Sequence, residues 1–193
     1  MNNMVMENML SVVIGVILLI WIIVIYNAII GKYNRAKRAW SDVIAYERLK
    51  NDVLPQLEKM LGEYKEFESG LLKRITELRG ALSSLDEGNI DASRLVEVES
   101  RSRQLMQGIK LTMENYPDLK TQHVVQQVMQ EISEKNANVA AAITIFNRSV
   151  ELFNDKIQYF PNSLVNAILN RKKTITPFDD TEASAGIEYQ PDF

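Results

Sequence analysis

Cysteine is absent from this chain of 193 residues, and histidine occurs once, at His123. A thiol nucleophile, a disulfide framework and Cys-ligated zinc or iron–sulfur centres are therefore excluded. One histidine cannot supply the paired Glu-x-x-His motifs of carboxylate di-metal bundles, so the acids Glu63, Glu66 and Glu68, and the pair Glu97 and Glu99, read as solvated side chains. His123 has only Gln122, Gln126 and Gln127 nearby, none a base partner, and reads as a surface or capping residue. Gly-rich phosphate loops, nucleophile elbows and His-Glu-x-x-His zinc motifs are missing as well. No catalytic residue and no cofactor is expected. Neither sign of charge dominates, with 22 Lys and Arg against 25 Asp and Glu for a net −3, which speaks against a general nucleic-acid binder. Proline is scarce, five in all and none before Pro55, and no segment alternates apolar and polar residues between hairpin signals.

What is abundant is concentrated at one end. Asn8 to Gly31 is a run of 24 residues without a charge, almost wholly aliphatic from Leu10 to Ile25. A helix of roughly 20 apolar residues crosses a hydrocarbon core, so 9–31 is expected to be a transmembrane helix after a short N-terminus, 1–8, on the non-cytoplasmic side. A cleaved signal fits less well: Glu7 stands where a basic residue belongs, the run is too long, and no small-x-small site follows. Downstream come Lys32, Arg35, Lys37 and Arg38 before the first acid, Asp42. By the positive-inside rule these four set the topology and meet lipid headgroups, which, if the cell is bacterial, puts the C-terminal domain in the cytoplasm and the short N-terminus outside.

Beyond the basic cluster the pattern is helical. No proline interrupts α-helix from the apolar run toward Lys50, which predicts a stiff tether, with Asn51 or Asp52 capping a new start and Pro55 in its first turn. Leu54, Leu57, Leu61, Tyr64, Leu71, Leu72, Ile75, Leu78 and Leu82 then recur at spacings of three and four. A polar connection at 83–91 precedes a helix from about Ala92 to Asn115, which Tyr116-Pro117-Asp118 ends in a turn exposed to partners. Val139, Ile143, Phe146, Val150, Phe153 and Ile157 form a heptad seam, with a short helix at 163–170 and an irregular tail, 171–193, after it. Asn136 falls on the seam and Asn147 and Asn154 lie beside it, where buried amides fix helix register or partners. Trp40, Tyr46, Phe67, Phe146 and Phe153 are expected in the core.

Several of these residues carry a resemblance. Ala39-Trp40-Ser41, Asp52-Val53-Leu54-Pro55-Gln56-Leu57, Tyr64 before Glu68, Tyr116-Pro117-Asp118-Leu119-Lys120, the run from Asn136 to Phe160-Pro161, and Pro191-Asp192-Phe193 resemble the LemA family in order and spacing over residues 26–193. Ile44 stands where the family usually has Asp, Glu47 where it has Leu, Phe146 and Phe153 where it has Tyr, and Ile143 where Arg is frequent, which marks a divergent member. The resemblance implies a bacterial single-pass membrane protein with an extended helical bundle in the cytoplasm. It supplies no mechanism.

The expected fold is all-α: an N-terminal transmembrane helix followed by a long antiparallel bundle of three or four main helices, the domain covering 32–170. The expected function is a non-enzymatic, membrane-anchored interaction or scaffold module of the bacterial envelope, in contact with the lipid bilayer and with an unidentified protein partner. Self-assembly through a seam shared between chains is the alternative, and a small-ligand binder or enzyme ranks below both.

Overall fold

The computed structural model describes the backbone of residues 2–62, 68–115 and 123–179. Among them every regular element is helical. Helix α1 runs from Asn2 to Lys50, α2 from Leu54 to Gly62, α3 from Glu68 to Ser83, α4 from Ala92 to Asn115, α5 from His123 to Gln158 and α6 from Asn162 to Val165, followed by a π turn at Asn166–Asn170. The chain divides into two compact units, Met1–Ala36 with Arg148–Ile175, and Lys37–Asn147 with Thr176–Phe193. Helices α1 and α5 contribute to both.

In the first unit, Ile25 and Ile29 of α1 bury against Phe153 and Ile157 of α5 and Val165 of α6, with Ile22, Tyr33 and Ile175 at the edge. The rings of Tyr33 and Phe153 meet edge to face, 5.5 Å between centroids. From Val5 to Trp21, by contrast, the large apolar side chains of α1 are exposed. After α5 the chain reverses through Tyr159-Phe160-Pro161, and Arg171 closes the π turn in the left-handed region, φ 51°, its N–H donating to Asn166 O at 2.6 Å.

The second unit is the larger bundle. Its core takes Trp40, Val43 and Ile44 from α1, Leu54 and Leu57 from α2, Ile75, Leu78 and Leu82 from α3, Leu95, Val98 and Ile109 from α4, and Val128, Val139 and Phe146 from α5. Helices α3 and α4 approach closely at Gly108, where a Cβ would come within 2.8 Å of Leu71 Cδ2. A side chain there would displace the ends of Leu71 and Arg74. Arg74 crosses the same contact, its Nη1 donating to Gln104 O at 2.7 Å. The Trp40 ring lies 5.3 Å from that of Phe146, and its Nε1–H donates to Asp86 O at 3.0 Å, which holds the connection between α3 and α4. Asp91 caps α4 by accepting the Ser93 N–H at 3.1 Å.

The stiff tether, the connection after Ser83 and the bounds of α4 agree with the sequence reading. Other details differ. Asn51 and Asp52 do not cap α2; their N–H groups donate back to Arg48 O and Leu49 O and close α1, and Val53 O receives the first bond of α2 from Leu57 N. The helical stretch 54–82 is described as two helices, and residues 63–67, with Tyr64 and Phe67, lie outside the described residues. Tyr46 is 40% exposed and edges the core instead of filling it. The heptad seam is packed within the chain: Val139, Phe146, Val150, Phe153 and Ile157 are buried, with Trp40 on Phe146 and Tyr33 on Phe153.

Candidate functional site

The last turn of α1 carries a charge cluster into the bundle core. Trp40, Val43, Ile44 and Glu47 follow one another on the inner face at spacings of three and one, so the stripe that buries the tryptophan also buries a carboxylate. Glu47 is fully buried and Lys50, one turn on, is 4% exposed. Lys50 Nζ lies 3.0 Å from Glu47 Oε2 and 2.7 Å from Glu99 Oε1 of α4. Neither oxygen of Glu47 accepts a hydrogen bond of good geometry. Two carboxylates face one ammonium, and the charge of Arg103 also acts on Glu99. Burial holds the Glu47 pKa well above the ordinary carboxylate value, reinforced by the hydrogen bond it then gives to Glu99. Burial pushes Glu99 upward too, but the bond from Glu47 and the charges of Lys50 and Arg103 outweigh it, and Glu99 ends below the ordinary value. Beside Lys50, Leu78, Ser102 and Leu105 is a cavity of about 10 Å³, room for one water and not for a substrate. Glu99 is thus not a solvated acid, whereas Glu97 is, at 58% side-chain exposure.

A second arrangement grips backbone. In the first unit Asn154 of α5 donates from Nδ2 to Ile175 O at 2.8 Å, and Ile175 N–H donates to Asn154 Oδ1 at 2.9 Å. Asn166 treats Lys172 in the same way, at 2.9 and 3.0 Å. In the second unit Asn147 pairs with both backbone groups of Phe178, each at 2.8 Å. A carboxamide offers one donor and one acceptor side by side, matching the outward N–H and C=O of an extended residue. Asn147 and Asn154, expected to fix helix register, instead pin the segment after the π turn. Lys172 is further held with Nζ 3.8 Å above the Tyr33 ring.

The profile of the LemA family matches residues 39–187. The chain belongs to the LemA family. It is also similar to Protein LemA of Metamycoplasma hominis, 31% identical over 134 residues, which are 69% of this chain and 60% of that relative's length. Neither name states a reaction, a substrate or a partner. The span matched to LemA takes in Glu47, Lys50, Glu99, the three gripping asparagines and the segment they hold, and begins after the exposed apolar part of α1.

In this LemA-family chain the other expected site residues do not converge. Lys32 is half-buried and Arg35 exposed in the first unit, Lys37 and Arg38 are exposed in the second, and among the described residues none of the four is ion-paired. Asn136 is half-buried with Oδ1 lacking a hydrogen-bond partner. The turn Tyr116, Pro117, Asp118 lies outside the described residues, as does the side chain of His123. In the second unit a half-open cleft of about 290 Å³ lies between Ala39, Asp42 and Tyr46 of α1 and Asn138, Ala142 and Ile145 of α5.

Proposed function

We propose that this LemA-family chain is a non-enzymatic, membrane-anchored interaction module of a bacterial envelope, crossing the inner membrane once and holding its helical domain in the cytoplasm. The observation that carries this reading is α1 itself. One helix, Asn2–Lys50, exposes an apolar surface over its first half and enters packed cores with its second, without a joint between them. Such an element transmits position from a bilayer to a domain. Lys32, Arg35, Lys37 and Arg38 follow the apolar run and supply the orientation signal. The cleft between Tyr46 and Ile145, half-open to solvent, suits a partner's side chains.

The test uses the full-length chain in native membranes with a photoreactive residue in place of Tyr46 or Tyr116. The expected result is one distinct protein recovered reproducibly from either position and absent when the label stands at Lys73, which is exposed on α3. Recovery of lipid alone, or of the same background from all three positions, overturns the interaction reading.

A further inference from the structure

The exposed apolar surface is not confined to the anchor. In the first unit, Tyr159, Phe160, Leu164, Ile168 and Leu169 are also all more than half exposed, Phe160 at 81%. Five large apolar side chains within eleven residues is a patch, and soluble surfaces rarely leave one uncovered. Its position along α1 is fixed by contacts. Val165 and Ile157 share one buried cluster with Ile25 and Ile29, and Asn170 Nδ2 donates to Tyr26 O at 3.3 Å. The patch therefore lies beside α1 at the level where packed residues give way to bare ones.

Helix length then decides what covers it. Between the charge on Glu7 and the first packed residue, Ile22, the bare uncharged stretch Asn8–Trp21 is about 21 Å long at 1.5 Å per residue, and a hydrocarbon core is about 30 Å thick. The next ~9 Å of uncharged helix is Ile22 to about Ala28, the part of α1 that α5 and α6 pack against. Spanning the bilayer thus draws the end of α5, α6 and the π turn to the level of the lipid. Their outward side chains are apolar, as that level requires.

The charges agree. On α1 the apolar run ends at Gly31 and cations begin at Lys32 and Arg35; after the π turn apolar residues end at Leu169 and cations begin at Arg171, Lys172 and Lys173. The Lys172–Tyr33 contact brings the two switches side by side. We propose that residues 159–169 form a second membrane contact, a foot seated in the acyl-headgroup boundary, with Arg171, Lys173, Lys32 and Arg35 in the phosphate layer of an anionic leaflet. This rests on α1 spanning the membrane.

The absence of native cysteine makes the test direct. Single-cysteine variants of the full chain, Phe160→Cys, Leu164→Cys, Ile168→Cys, Val16→Cys and Lys73→Cys, are nitroxide-labelled and reconstituted in bilayers of phosphatidylcholine and phosphatidylglycerol. Collision with dissolved oxygen is compared with collision with a water-soluble nickel chelate. Oxygen should dominate at 16 and at two or more of 160, 164 and 168, and the chelate at 73. Oxygen dominating at 16 but at fewer than two of the three overturns the foot and leaves the anchor standing. The chelate dominating at 16 overturns the anchor, and the foot with it.

Discussion

Glu47 is a carboxyl group enclosed in the bundle core. Its folded-state pKa is raised by burial, so its contribution to stability is complete below the ordinary carboxylate range and is lost as pH rises through the folded value. Glu99 runs the other way: its pKa is lowered, so its contribution is present above the ordinary range and is lost as pH falls through the folded value. The groups facing Glu47 are Lys50 and Glu99, with Arg103 acting on Glu99. Glu47→Gln keeps a donor toward Glu99 and removes the titrating proton. Its melting temperature, followed by circular dichroism, should hold up better than wild type as pH is raised from about 5 to 8; parallel curves would place the proton elsewhere. Lys50→Met strands the acids in the core and should cost about 3–5 kcal/mol in urea unfolding. None of this was legible beforehand, because Glu47 and Lys50 look like an ordinary i,i+3 surface pair and Glu99 joins them only through the packing of α4 on α1. A fully buried glutamate on the same stripe as Trp40 was the available hint.

At the scale of elements, the helices were legible and what lies on them was not. Apolar spacing gave α4 to the residue and the seam of α5 nearly whole, because burial imposes a period on side chains. The segment after Arg171 shows no period, and the reason is physical: Asn147, Asn154 and Asn166 hold its backbone, and a carboxamide bonded to a peptide group is blind to the side chain. Asn154→Ala removes two bonds of about 1 kcal/mol each, so the Ile175 amide should exchange its hydrogen roughly 30-fold faster. Unchanged protection there would mean that Tyr33 and the side-chain packing hold the segment without the amide. The segment should also tolerate substitution far better than insertion or deletion.

For the whole molecule, orientation is the property that follows from so few residues. If Lys32, Arg35, Lys37 and Arg38 set the topology, neutralising all four to Gln and adding three lysines after Met1 should invert the chain in a fraction of molecules, read by which side of the membrane labels a cysteine at position 73. A distribution unchanged from wild type would show that the folded domain, not the charge, decides. The run of apolar residues made a candidate anchor legible, but sequence alone does not show that Ile25 and Ile29, inside that run, bury in one cluster with Phe153 and Ile157. That pairing also has a consequence in time. The partners of Ile29 on α5 are synthesised well over a hundred residues later, on the order of ten seconds at ribosomal rates. Through that interval the inner half of α1 stands complete with an uncovered apolar face, and if its outer half has entered a bilayer, the first surface offered to that face is the membrane.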